Sequence, residues 1–174
     1  MGTDKALLPM RGRTLVQHVA ATVQAAAGSV ILIGDPAKYR DLGYRVLPDA
    51  VAGCGPLGGI VTALDASTVT WNLVLACDLP QVNADFLSRL LARAEQSDLD
   101  CVIPVGPSGR AETLCAAYHG RCHPVLREAL ASGVRKILDG VGGLRVDFWH
   151  TEAAVFHNLN TPEDWQTYAA GQYE

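Results

Sequence analysis

An uninterrupted apolar stretch at residues 73–77 constrains the fold of this chain more than any other feature of its sequence. Polar and apolar residues do not alternate there, which is typical of a strand buried on both faces of a parallel sheet. Asp78 follows the stretch, and Pro80 lacks the amide hydrogen that a continuing strand needs. The sequence therefore places one carboxylate at the carboxyl end of a central strand, where open α/β sheets bind their ligands.

The residues alone leave two interpretations of Asp78 open. The acid either caps the next helix or is solvated, or it binds a cation, because a buried carboxylate without a partner is costly. Mg²⁺ is suited to the second role, since it needs only one or two protein carboxylates beside substrate phosphates. Asp78 is thus a candidate metal ligand and catalytic residue of a site that handles phosphates.

Capping residues and apolar runs predict helices alternating with strands along the chain. Thr14 and Gln17 form a capping box before the first helix, and Asn83 is a good N-cap for a later one. Strands are predicted at 112–118 and 153–157, among others, and Thr161 is predicted to cap a last helix. This order favours a three-layer α/β fold with a mainly parallel sheet.

Length, charge and cysteine content limit the domain organisation and the partners. The 174 residues fit a single domain, 1–174, with a sizeable core. A net charge of −4 without a basic run argues against nucleic acid, and no apolar stretch reaches the roughly 20 residues that cross a membrane. Five cysteines without a C-x-x-C pair suit a reducing cytoplasm, the expected location.

Two more segments have the chemistry of a phosphate site. Lys5 precedes an apolar pair, and its ammonium is a point charge suited to phosphates, although a solvated lysine is the competing interpretation. The glycines of 53–59 permit close backbone approach, and a helix starting near Pro56 presents free amides and a positive dipole end. Asp49, at the end of another predicted strand, is placed to face the same crevice. A tight packing turn is the competing interpretation of the glycines.

Four segments of the chain occur in a characteristic order: MGTDKALL at 1–8, GPLGGI at 55–60, LACDLP at 75–80 and FHNLNTPEDW at 156–165. Together they resemble the molybdenum cofactor guanylyltransferases, and the resemblance runs from Met1 to about Gln166. It implies a Rossmann-like nucleotidyltransferase sheet that binds Mg²⁺ and GTP. It also implies that the phosphate of molybdopterin attacks the α-phosphorus of GTP and releases pyrophosphate.

The resemblance assigns roles to particular residues. It implies that Lys5 neutralises the triphosphate, that Asp49 contacts the nucleotide and that Asp78 holds the metal. The implied nucleotide-binding set also includes Gly55, Pro56 and Leu57. Asn158 and Asn160 are implied on the pterin side, where amides suit a hydrogen-bonding heterocycle, and a turn with a helix cap is their competing interpretation. GTP and molybdopterin are the expected partners, with molybdoenzyme maturation proteins left open.

The sequence departs from this family at its amino end. Family members carry an apolar strand and a glycine-rich loop just upstream of the segment that matches 1–8. We therefore expect the first strand to be missing, so that the domain is N-terminally truncated relative to the family. Either the start codon is misplaced, or the chain is a shortened and weakly active relative. A smaller departure lies at 112–115, where the family commonly has Pro-Leu.

Two alternatives to guanylyl transfer remain open. One is a cytidylyltransferase acting on the same or a related acceptor, since base choice depends on the missing loop and on residues around Gly34 and Asp49. The other is a non-catalytic protein that binds a nucleotide or cofactor without releasing pyrophosphate.

Overall fold

The computed structural model of the chain describes residues 4–50, 53–153 and 155–159, together with residues 164 and 168. The strands of this part are β1 (Pro9–Met10), β2 (Arg13–Thr14), β3 (Ile31–Ile33), β4 (Arg45–Leu47), β5 (Trp71–Leu75), β6 (Cys101–Val105), β7 (Cys115–His119) and β8 (Val146–His150). Its α-helices are α1 (Leu15–Ala27), α2 (Pro36–Tyr39), α3 (Gly55–Asp65), α4 (Ala84–Glu95), α5 (His123–Ala131) and α6 (Ile137–Gly140). None of these helices is long and apolar enough to cross a membrane.

The sheet is partly parallel, whereas the sequence predicted a mainly parallel one. Strands β5, β7, β6 and β8 form one sheet in that order, and β7 runs antiparallel to both β5 and β6. The pairs β6–β8 and β3–β4 are parallel. The reversal of β7 has a physical cause, because residues 106–114 connect it to β6 without the long crossover that a parallel pair requires.

Helices cover both faces of the four-stranded sheet, which confirms the predicted three-layer α/β fold. On one face, Ile103 and Tyr118 pack against α3, α5 and α6. On the other face, Val102 and Ala117 pack against α4 and the second half of α1. Neighbouring residues of one strand thus enter different cores, because side chains alternate between the two sides of a sheet.

The described sheet is interrupted between β3 and β5. Within the described residues, β3 pairs with β4 and β5 pairs with β7, and no pairing joins β3 to β5. Helix α1 spans the interruption, since its Ala20 packs with Leu32 of β3 and its Val23 packs with Leu73 of β5. Every residue of β5 is half-buried, whereas the sequence predicted burial on both faces.

The predicted helix caps are confirmed. The Thr14 hydroxyl accepts a hydrogen bond from the Gln17 amide at 3.3 Å, and the Gln17 side chain accepts one from the Thr14 amide at 3.0 Å. The side chain of Asn83 accepts from the Phe86 amide at 2.9 Å and begins α4. These local interactions depend only on residues three apart, which is why the sequence predicts them well.

Two predicted strands differ from the structure. The strand predicted at 112–118 begins only at Cys115, because residues 112–114 form a turn closed by a 2.9 Å bond from the Cys115 amide to the Glu112 carbonyl. The strand predicted at 153–157 is wrong for the residues described there. Their apolar side chains pack on α4 instead, where Phe156 meets Phe86 edge to face. The predicted cap at Thr161 lies outside the described residues.

Candidate active site

Asp78 lies just beyond the carboxyl end of β5 and is held there by the chain near residue 158. Its Oδ2 accepts a hydrogen bond of 3.1 Å from Nδ2 of Asn158, and its main-chain carbonyl accepts one of 3.0 Å from the Leu159 amide. Its other carboxylate oxygen, Oδ1, is buried and has no hydrogen-bond partner among the described residues. An oxygen left in this state is costly, so it fits a site for a bound cation.

Lys5 reaches the same place from the amino end. It opens a short 3₁₀-helix, Lys5–Leu7, and its Nζ donates a long hydrogen bond of 3.5 Å to the Leu159 carbonyl. Leu159 therefore contacts Lys5 through its carbonyl and Asp78 through its amide. The structure thus brings together Lys5, Asp78 and Asn158, three predicted site residues that lie far apart in the sequence.

Asp4 fixes the backbone that carries Lys5. One of its oxygens accepts a hydrogen bond from the Ala6 amide at 3.1 Å, which caps the 3₁₀-helix. The other accepts one from the Tyr39 hydroxyl at 2.7 Å and lies 3.5 Å from Lys38 Nζ. The bond from Tyr39 is the main cause that lowers the pKa of Asp4. Sequence reasoning missed Tyr39, because only the fold brings α2 to the amino end.

Glu112 is a second acid that sequence reasoning missed. Only 6% of the residue is exposed, and burial raises the pKa of its carboxyl. The charge of Arg110 opposes that increase, and the charge of Asp78 adds to it. The sequence contained one indication of Glu112, since a lone acid stands two residues before the apolar run 114–117.

The glycine-rich turn before α3 is partly accessible to a ligand. Gly53 and Gly55 have φ angles of +74° and +65°, a left-handed conformation that favours glycine. Gly55 and Pro56 are exposed, while the side chain of Leu57 is fully buried in the core. Any contact of Leu57 with a nucleotide is therefore limited to its backbone.

Asp49 is exposed beyond the end of β4 and lies beside α3. A Cβ atom built on Gly59 would sit 3.6 Å from its Oδ1, so the carboxylate lies close to that helix. No contact described in the structure joins Asp49 to Lys5 or Asp78. Asn160 lies outside the described residues.

The described residues contain no group of three or more His, Cys, Asp or Glu side chains that could hold a metal. Groups of three or more such side chains are typical of sites that hold a metal tightly. Mg²⁺ needs fewer protein ligands, because it keeps several waters and uses substrate phosphates.

Solved structures of other proteins share this three-layer α/β fold. A molybdopterin-guanine dinucleotide biosynthesis protein A from Archaeoglobus fulgidus has a TM-score of 0.82 at 24% identity, covering 98% of this chain and 91% of its own. A 2-C-methyl-D-erythritol 4-phosphate cytidylyltransferase from Thermus thermophilus has a TM-score of 0.74 at 21% identity, covering 97% and 93%. These likenesses define the fold.

Sequence comparison identifies the family. The model of the MobA-like NTP transferase domain matches residues 1–147. A molybdenum cofactor guanylyltransferase from Shewanella frigidimarina is 30% identical over 182 residues, which cover 97% of this chain and 88% of the relative. The chain belongs to the MobA-like NTP transferase family and is a nucleotidyltransferase, which confirms the resemblance drawn from the sequence.

Proposed function

We propose that the chain transfers GMP from GTP to molybdenum-loaded molybdopterin, forming molybdopterin guanine dinucleotide and releasing pyrophosphate. One observation carries this proposal: Oδ1 of Asp78 is buried and has no partner among the described residues, while Asn158 bonds to Oδ2 of the same carboxylate. Leu159, the next residue after Asn158, accepts a bond from Lys5. The relative from Shewanella frigidimarina, named a molybdenum cofactor guanylyltransferase, supports the choice of substrates.

Asp78 is proposed to hold Mg²⁺, because its Oδ1 is buried and has no hydrogen-bond partner among the described residues. When bound, the cation supplies neutralisation of the charge on the reacting phosphates. Asn158 keeps the carboxylate oriented by occupying Oδ2. The fold therefore fixes the acid before any substrate arrives, which is what electrostatic stabilisation requires.

Lys5 is proposed to neutralise the triphosphate. Its ammonium donates a long bond to the Leu159 carbonyl beside Asp78, and a lysine ammonium is a point charge suited to phosphates. The cap made by Asp4 restricts the backbone from which Lys5 extends. The nucleotide is proposed to lie along Asp49 and the exposed Gly55 and Pro56, with the backbone of Leu57 adding an amide from the first turn of α3.

Asn158 and Asn160 are proposed to bind the pterin of the acceptor. Asn158 uses one amide hydrogen on Asp78, which leaves its second amide hydrogen and its carbonyl oxygen for a heterocycle. Asn158 would thereby couple acceptor binding to the position of the metal ligand. The reaction is proposed to take place in the cytoplasm, with molybdoenzyme maturation proteins as recipients of the product.

The test is an assay of dinucleotide formation from GTP, Mg²⁺ and molybdenum-loaded molybdopterin. It uses the 174-residue chain. Dinucleotide formation supports the proposal, and no product contradicts it. CTP in place of GTP identifies a cytidylyltransferase if it is the better donor. Nucleotide binding without pyrophosphate release identifies a binding protein.

A further inference from the structure

Glu112 lies at the same edge of the sheet as Asp78. Strands β5 and β6 both run antiparallel to β7, so their carboxyl ends share one edge, and β7 begins there. The Glu112 amide donates a 2.8 Å bond to the Pro104 carbonyl at the end of β6. Two residues later, the Leu114 carbonyl accepts a 2.8 Å bond from the Ala76 amide, just before Asp78. The turn at 112–114 therefore joins the end of β6 to the end of β5.

The contact between Glu112 and Arg110 does not explain why the Glu112 carboxylate is buried. Its side chain is 8% exposed, and the described partner is Nε of Arg110, 3.7 Å from Oε1. The Arg110 side chain is 67% exposed, so water screens its charge, and the separation is longer than a hydrogen bond. Such a pair offsets little of the cost of burying a carboxylate. Asp78 follows β5 and Glu112 adjoins the end of β6, so the two acids lie at the same edge of the sheet.

Two charged carboxylates at one edge of a sheet repel each other, and a cation beside them offsets that repulsion. Asp78 has one buried oxygen without a partner, and Glu112 is buried with a weak one. We propose that Glu112 is a positioning residue for the divalent cation of Asp78, adding a second negative charge and accepting a hydrogen bond from a cation-bound water. Mg²⁺ keeps several such waters, and partners of this kind orient them. The inference rests on the proposed function in one respect, the cation at Asp78.

The test measures the affinity of the full chain for Mn²⁺ alone, by the loss of the free-ion signal in electron paramagnetic resonance. Glu112→Gln keeps the shape and removes the charge, so we expect binding about tenfold weaker than in the wild type. Glu112→Asp, which restores the charge, is expected to recover part of the affinity. Glu128→Gln removes an exposed acid from α5 and is the matched control, with no expected change.

Arg110→Gln separates this role from a structural one. If Glu112 assists the cation, removal of the competing guanidinium leaves Mn²⁺ affinity equal to or tighter than that of the wild type. If Glu112 only pairs with Arg110, then Glu112→Gln and Arg110→Gln lower the melting temperature alike and neither changes Mn²⁺ affinity. That second result, or a wild type that binds no Mn²⁺, overturns the inference.

The inference and the proposed function fail in different ways. If Glu112→Gln binds Mn²⁺ as tightly as the wild type and the wild type transfers GMP, the role of Glu112 is rejected and the proposed function is retained. If Glu112→Gln binds Mn²⁺ more weakly but the wild type transfers nothing from GTP to molybdopterin, the proposed function is rejected and the role of Glu112 is retained.

Discussion

The side-chain amide of Asn158 donates a 3.1 Å hydrogen bond to Oδ2 of Asp78, 80 residues earlier in the chain. With the 3.0 Å bond from the Leu159 amide to the Asp78 carbonyl, it fastens the segment around residue 158 to the end of β5. The same segment accepts the bond from Lys5. Residues near the carboxyl end of the described chain thus organise a site whose acid and lysine come from elsewhere.

Asn158→Ala is expected to lower GMP transfer by about 10- to 100-fold, because Asp78 loses the donor that orients it. The Mg²⁺ concentration needed for half-maximal rate should rise as well. Steady-state rates across a Mg²⁺ series measure both quantities. Asn72→Ala is the matched control, since Asn72 lies at the opposite end of β5 and its amide bonds the Tyr118 carbonyl. Equal Mg²⁺ requirements in both variants would show that Asn158 does not act through the metal ligand.

Asp78→Asn is expected to separate activity from stability. Transfer should fall by about 10³-fold, because the amide is a poor ligand for the cation. The metal-free protein should keep its free energy of unfolding or gain up to about 2 kcal/mol, since the variant removes a buried charge whose Oδ1 has no described partner. Urea unfolding in the presence of a chelator measures the second effect. A clear loss of stability there would mean that Asp78 is a structural acid.

Lys5→Gln is expected to slow transfer by about 10²- to 10³-fold, because a charge that stabilises the transferring phosphates is lost. Stability should change little, as the bond to the Leu159 carbonyl is long at 3.5 Å. Lys38→Gln is the control: its ammonium is 54% exposed and pairs only with Asp4 at 3.5 Å among the described residues. Similar losses of activity in the two variants would argue against a specific role for Lys5.

The lowered pKa of Asp100 predicts how the free energy of unfolding depends on pH. Hydrogen bonds from Arg145, helped by Arg121, lower its pKa from 3.8 to about 2. A carboxyl with a lowered folded-state pKa stabilises the protein above its unfolded pKa, so this contribution is full above about pH 5 and is lost as pH falls towards 2. Asp100→Asn should cost about 2 kcal/mol at pH 7 and flatten the decline between pH 5 and 2.

Chemical unfolding from pH 7 to 2 measures that decline. Asp139→Asn, which alters an exposed acid on α6, is expected to leave the pH profile unchanged. A profile in Asp100→Asn as steep as that of the wild type would contradict the assignment.

Sequence reasoning predicted the features that depend on neighbouring residues. The caps at Thr14 and Asn83 involve partners three residues away, so their residue types suffice. Asp78 was placed at a strand end because apolar runs and Pro80 are visible in the sequence. Lys5 and Asn158 were placed in the same site only through the family resemblance, since nothing in their local sequence indicates that they meet.

The features that the sequence did not predict depend on distant contacts. The antiparallel direction of β7 follows from its pairing with β5 and β6. The hydrophobic pattern of the sequence carries no information about strand direction. The residues around 153–157 have strand composition, but their burial against Phe86 decides their conformation. Glu112 was missed for a related reason, because its nearness to Asp78 depends on the turn at 112–114.

The most direct test of the account follows the α-phosphate of GTP. The 174-residue chain is supplied with Mg²⁺, molybdenum-loaded molybdopterin and GTP labelled at either the α- or the γ-phosphate. We predict that α-label enters the dinucleotide, that γ-label leaves as pyrophosphate, and that Asp78→Asn lowers both by about 10³-fold. No α-label in the pterin product, or equal transfer by Asp78→Asn, would contradict the claim that Asp78 lies at the centre of a guanylyltransferase site.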